Sequence, residues 1–201
     1  MRIVKLEESL RIADNVRNLM KQSSTNPLSE TVVDLARVLH DTSIAWAICG
    51  GLAVGVHARP RGTDDIDVVL TDESIIPSFM ERAFPKFKQT RAHAMVHRQT
   101  GVEVECITPQ FVKINPEIAI KAIEQSKSSQ IDGVDVPVIS REGLVAMKLC
   151  RGSDYDKGDI KSILRNGDVN LDAWSLSEKE KLLFETIKQE LNKETQAKEN
   201  N

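Results

Sequence analysis

The chain reads as a single α+β domain: a mixed, twisted β-sheet of about five strands flanked by helices, with helical extensions at both ends. Three observations give that class. Apolar residues recur at helical spacing near both termini, short β-branched runs bounded by Gly, Pro, Asn or Asp fill the middle, and a short helix-like segment separates two of those runs. With 201 residues the chain can bury one good core, not two large independent ones. The single domain spans 1–192, divided into a helical N-terminal segment (1–42), an α/β core (43–139) and C-terminal helices (140–192). The polar tail at 193–201 is expected to be disordered.

Each element has a local reason. Leu6, Leu10, Ile12, Ala13, Val16, Leu19 and Met20 set a helix over 6–20. Turn formers at 23–27 break it, and Ser29 with Glu30 starts a second helix reaching about residue 40. Residues 44–49 read as a buried strand and 52–58 as a short helix stopped before Pro60, because the residue ahead of proline is driven out of the helical region. A strand over 65–70 follows, then a helix over 73–83 in which Pro77 is either an interruption or a first-turn residue. Segments 87–90, 94–98 and 102–107 are strand candidates, the last two joined as a hairpin at Gln99-Thr100-Gly101. Asn115-Pro116 opens a helix to about 125, and Asp132-Gly133 is a turn ahead of a short strand at 134–139 that contains Pro137. Helices over 141–151, 154–164 and 177–191 complete the chain, the last with Ser177 and Glu180 in capping-box form.

Composition narrows the function classes. A net charge of −3 gives no global field that would advertise a nucleic-acid binder. Locally, Arg82, Lys86, Lys88, Arg91 and Arg98, with His93 and His97, form a basic strip free of Asp and Glu. That strip is either a solvated hairpin or a surface that receives phosphates. Cys49, Cys106 and Cys150 lie far apart in apolar runs with no C-x-x-C spacing, which argues for reduced, buried thiols and against zinc. The N-terminus lacks a signal-peptide core and no run approaches a membrane span, so a cytoplasmic protein with no membrane partner is expected.

The chemistry is concentrated at 45–70, AWAICGGLAVGVHARPRGTDDIDVVL. Side chains alternate across a strand, so Asp65 and Asp67 share one face while Ile66 and Val68 take the other. Two hard oxygen ligands then stand near backbone N–H groups freed by Gly50 and Gly51, which suits a divalent cation and the phosphates it bridges. An acidic pair at i and i+2 is common by chance; the order of strand, Gly-Gly, helix, Arg61-x-Thr63 and acidic strand is what carries weight. No Gly-Lys-Ser or Gly-Lys-Thr follows the glycines, so they are not a Walker loop. Glu103 and Glu105 share a face of the later strand. His57, at the end of the short helix, reads as a packing or capping residue.

This arrangement resembles the nucleotidyltransferases of the DNA polymerase beta superfamily, and the RGTDDID wording of 61–67 is similar to the bacterial branch that includes AbiEii-type toxins. The resemblance covers about 44–167 and implies the nucleotidyltransferase fold, an NTP substrate and two Mg2+ ions held by Asp65, Asp67 and a third carboxylate. Relatives end that third strand in Val-Asp, two hydrophobic residues and Thr-Pro, which selects Glu105 over Glu103, although they most often carry Asp there. By the same resemblance Gly50 and Gly51 admit the triphosphate, Arg61 and Thr63 hold phosphate or orient the acidic strand, and Lys148 meets the nucleotide. Arg151 and the Asp156-x-x-Asp159-Ile160 segment are kept, while Tyr155 replaces a lysine. The implied activity moves an NMP from an NTP to a hydroxyl of RNA, such as tRNA, or of a protein, as the toxin of a pair with a cognate antitoxin. The alternatives are an antibiotic nucleotidyltransferase and a nucleotide-binding module without turnover.

Overall fold

The computed structural model describes residues 6–21, 26–59 and 62–199; residues 23–25 of the turn expected at 23–27, together with Pro60 and Arg61, lie outside the described residues. One mixed sheet organises the chain. Its strands are β1 (Trp46–Ile48), β2 (Asp65–Leu70), β3 (Phe87–Arg91), β4 (Ala94–His97), β5 (Glu103–Ile107), β6 (Lys127–Ile131) and β7 (Val134–Val138). They lie in the order β3-β4-β5-β2-β1-β7-β6, seven strands where about five were expected. β2 pairs in parallel with β5, β1 in parallel with β7, and the other neighbours are antiparallel.

The helices are α1 (Leu6–Lys21), α2 (Pro27–His40), α3 (Gly50–His57), α4 (Ile76–Ala83), α5 (Pro109–Val112), α6 (Pro116–Glu124), α7 (Arg141–Arg151), α8 (Asp154–Leu164) and α9 (Glu178–Glu199). Local signals explain most boundaries. Pro77 sits in the first turn of α4, behind a 3-10 turn at Glu73–Ile75, rather than interrupting it. The Ser140 hydroxyl accepts from the Gly143 amide to start α7, and Gly152, with φ of 65°, ends it. Ser153 and Asp156 close a capping box on α8. Asp132 and Gly133 both take positive φ, 48° and 75°, the two-residue turn that an Asp-Gly hairpin favours. That turn joins β7 to β6, the strand missed in the sequence. Its KSSQI composition offers almost no apolar alternation, as befits an edge strand. α9 continues to Glu199, beyond the boundary near 192 read from the sequence.

The core lies on both faces of the sheet. β2 is central, with Ile66, Val68, Val69 and Leu70 fully buried. α2 covers the face of Ile66. Its Asp34 meets the buried His97 of β4 at 3.1 Å, and the other ring nitrogen of His97 lies 2.9 Å from the Thr100 hydroxyl. Lys86 reaches the same Asp34 at 3.1 Å, and Arg98 donates to the carbonyls of Phe84 and Phe87. Lys86 and His97 of the basic strip thus hold the β3–β4 hairpin to α2, and Arg98 ties its end to Phe84 and Phe87. α6 and α7 pack together on the side of the sheet that carries Asp67. Among the described residues no helix is long and apolar enough to cross a membrane.

Two glycines separate packing from propensity. A Cβ on Gly143 would meet Ala122 Cβ at 3.0 Å, whereas one on Gly158 would meet nothing within 4 Å. Gly143→Leu should therefore cost about 1–3 kcal/mol by forcing α6 from α7, while Gly158→Ala should gain about 0.5–1 kcal/mol from helix propensity. Urea unfolding of both variants measures the difference.

Candidate active site

The site grows from the register of three neighbouring strands. The Cys49 amide donates to the Asp67 carbonyl at 2.9 Å, fixing the end of β1 beside the start of β2. The chain then turns abruptly into α3 at Gly50, whose φ is 53°. A Cβ built there would lie 1.6 Å from Asp67 Oδ2. Only glycine fits: the carboxylate fills the space of the missing side chain, and L residues disfavour that φ. Gly51 is buried in the first turn of α3.

On the other side of β2, Asp65 pairs with Glu103 and Asp67 with Glu105 in parallel register. All four carboxylates therefore share one face of the sheet. The Thr63 hydroxyl donates to Asp65 Oδ1 at 2.7 Å, orienting the first acid of the strand. Arg91, at the end of β3, pairs with Glu103 and stands 3.8 Å from Glu105. Asp67 is different. Half-buried, it accepts no side-chain hydrogen bond among the described residues, and its pKa is pushed up to about 6. Burial is the largest cause, followed by the charges of Asp65 and Glu105, with Arg151 and Lys148 opposing.

A narrow pocket opens over Asp67, lined by Gly50, Ile107, Ile114, Met147, Lys148 and Arg151 among others. Its cationic wall comes from α7 and α8. Lys148, buried in an apolar helix, meets Asp156 at 3.2 Å and Asp159 at 2.7 Å. Arg151 holds the same Asp156 with two bonds, Nε–Oδ2 at 2.7 Å and Nη2–Oδ1 at 2.5 Å. Burial raises the pKa of Asp156, but Arg151, Ser153 and Lys148 outweigh it and hold it at about 2. Two cations and two anions thus pair within this cluster, and its positive groups lower the pKa of Asp67 by less than burial and the neighbouring carboxylates raise it.

Of the residues named from the sequence, Gly50, Asp67 and Lys148 line this pocket; Asp65 and Glu105 share the sheet face of Asp67, Thr63 bonds to Asp65 and Gly51 follows Gly50 in α3, while Arg61 is outside the described residues. Sequence reasoning placed Arg91 only in a basic strip that could receive phosphates, not beside the carboxylates, and assigned Asp156 no role of its own. The i, i+3 spacing of Asp156 and Asp159 was the available signal for the second, whereas Arg91 reaches the site only through strand pairing. Among the described residues no three His, Cys, Asp or Glu side chains gather into a closed ion cage. Mutual repulsion and the competing partners Thr63 and Arg91 account for this. The donor set still fits a hard divalent cation, because Asp67 is an oxygen ligand flanked by like charges and, among the described residues, without a side-chain donor.

No protein-family model matches the chain, and no curated protein matches it by sequence. By fold it is similar to an antigenic nucleotidyltransferase-like protein from Paracoccidioides brasiliensis, with a TM-score of 0.62 and 20% identity over 87% of this chain and 93% of that one. A looser superposition pairs it with the antibiotic-resistance factor ANT(2″)-Ia, at a TM-score of 0.46 and 11% identity over 85% of this chain and 97% of that one. The first of these likenesses shows a nucleotidyltransferase-like fold.

Two outcomes follow from the electrostatics. The folded pKa of Asp67 lies above its ordinary 3.8, so its destabilising contribution is absent below about pH 3.8, grows as pH rises to about 6 and is complete above. Without divalent cations, Asp67→Asn should raise stability at pH 7.5 by at most roughly 3 kcal/mol and leave it unchanged near pH 3.5; thermal melts at both pH values check this. Asp156→Ala removes the partner of Arg151, leaves Lys148 with Asp159 alone and opens the capping box of α8, and should cost roughly 3 kcal/mol in denaturant unfolding.

Proposed function

We propose that this protein is a metal-dependent nucleotidyltransferase that moves an NMP from an NTP to an acceptor hydroxyl. The observation that carries the reading is Asp67: a half-buried carboxylate with no hydrogen-bond donor among the described residues, beside two like charges and against bare glycine backbone. Such a carboxylate is suited to pairing with a bound cation. The nucleotidyltransferase-like fold supports the same class.

In this reading Asp65, Asp67 and Glu105 would hold two Mg2+ ions. When bound, the ions supply charge neutralisation for the triphosphate and lower the pKa of the acceptor hydroxyl. The chain's own residues do the rest. Gly50 and Gly51 let the triphosphate approach the backbone, and the N–H groups of the first turn of α3 face its charge. Thr63 keeps Asp65 turned to the site. Lys148 and Arg151, held by Asp156, present positive potential to the nonbridging oxygens as charge builds there. A Glu105 oxygen takes the proton of the attacking hydroxyl.

The acceptor we propose is RNA, tRNA in particular, or a protein side chain, with the protein acting in the cytoplasm as the toxin of a toxin-antitoxin pair and its antitoxin as partner. The wording of the Arg61–Asp67 motif supports this finer reading.

Incubation of the protein with each α-labelled NTP, Mg2+, and total bacterial RNA and protein tests the proposal. Label should appear in one macromolecular fraction with release of pyrophosphate, and Asp67→Asn or Glu105→Gln should reduce transfer roughly a hundred-fold or more. NTP binding without pyrophosphate release under every metal would instead identify a nucleotide-binding module.

A further inference from the structure

The two glutamates of β5 have equal access to the site through the backbone. Glu103 lies opposite Asp65, Glu105 lies opposite Asp67, and alternation places both on the acidic face. Nothing in the strand pattern chooses between them. The choice is made by a residue two strands away.

Arg91 ends β3 at an irregularity in the β3–β4 register, between Gln89 and Arg91. Such bulges re-aim side chains. From there it pairs with Ala94 of β4, and Ala94 pairs with Glu105, so Arg91, Ala94, Glu105 and Asp67 form one row across four strands. The buried Ala94 is small enough for a guanidinium to extend over it towards β5. Arg91 nevertheless does not settle on the glutamate in its own row. It binds Glu103 directly and leaves Glu105 at 3.8 Å, and Glu105 is the less exposed of the two, 28% against 42%.

We propose that Arg91 is a positioning residue that sorts the two glutamates, holding Glu103 as its ion-pair partner and leaving Glu105 to face the cation beside Asp67. The inference rests on the cation-site reading above. A guanidinium satisfies a carboxylate with fixed, directional donors, so a carboxylate held by it is a poor metal ligand. The other glutamate, opposite Asp67, meets the guanidinium only at 3.8 Å, beyond hydrogen-bond distance, and so keeps oxygen lone pairs for a cation. The same cation also sets the affinity of the site, because it contributes one positive charge close to the place where a metal must bind.

Mn2+ titration of the full chain without nucleotide, with free ion read by electron paramagnetic resonance, tests this without relying on turnover. Glu105→Gln should weaken Mn2+ binding about ten-fold or more, and Glu103→Gln should change it less than about three-fold. Arg91→Gln should tighten binding and release Glu103 to substitute, so that adding Glu105→Gln to it costs less than about three-fold. Arg91→Lys should restore dependence on Glu105. Equal losses from the two single glutamate variants would overturn the sorting, as would an undiminished cost of Glu105→Gln in the Arg91→Gln background. The single glutamate variants decide the matter even if Arg91→Gln fails to fold. If the unmodified protein binds no Mn2+, the cation-site reading fails and takes the sorting with it; if it binds Mn2+ through both glutamates alike, only the sorting fails.

Discussion

The contact between the Asp67 carboxylate and the bare backbone of Gly50 sets the terms for everything around it. The carboxylate occupies the volume a Cβ would need, and the left-handed φ of Gly50 turns the chain from β1 into α3 without a side chain. β2 must therefore carry its acid at that register, and α3 must begin there. Burial and two like charges then leave Asp67 reluctant to ionise. A fold built for stability alone would place a neutral residue at 67; the chain accepts the electrostatic cost at the position where a cation would repay it.

Charge balance gives the cluster on α7 and α8 its meaning. Lys148 and Arg151 are matched by Asp156 and Asp159, so the wall of the pocket is rigid and close to neutral. Its residual positive potential still lowers the pKa of Asp67, against the larger effect of burial. A lysine held at both carboxylates is oriented, not free to wander. The helix ends that carry it are fixed as well, by Ser140, Gly152 and the Ser153 capping box. Precision at this wall comes from local signals close together in sequence, whereas precision at the acidic face comes from strand register.

That division explains what could be read from the sequence. Helix limits at 141–151 and 154–164 were legible because Ser, Asp and Gly caps act over three or four residues. The strand carrying Asp65 and Asp67 was legible because its apolar residues are buried on a central strand. β6 was not, since an edge strand needs polar residues and loses the alternation that marks a strand. Glycine at 50 was legible as a cradle, but that Asp67 itself fills the cradle was not, because the contact joins residues seventeen positions apart by pairing of β1 with β2. Arg91 was visible only as one of a basic strip. Its neighbours Lys86, His97 and Arg98 turned inward to structural partners, and strand order alone brought it to the glutamates.

The most direct test is a crystal structure of the protein soaked with Mn2+ and a non-hydrolysable NTP, with the anomalous signal of manganese mapped. The account predicts an anomalous peak touching Asp67, with the triphosphate passing the backbone of Gly50 and Gly51. Density that shows Asp67 bonded to a protein donor, with no manganese beside it at full nucleotide occupancy, would contradict it.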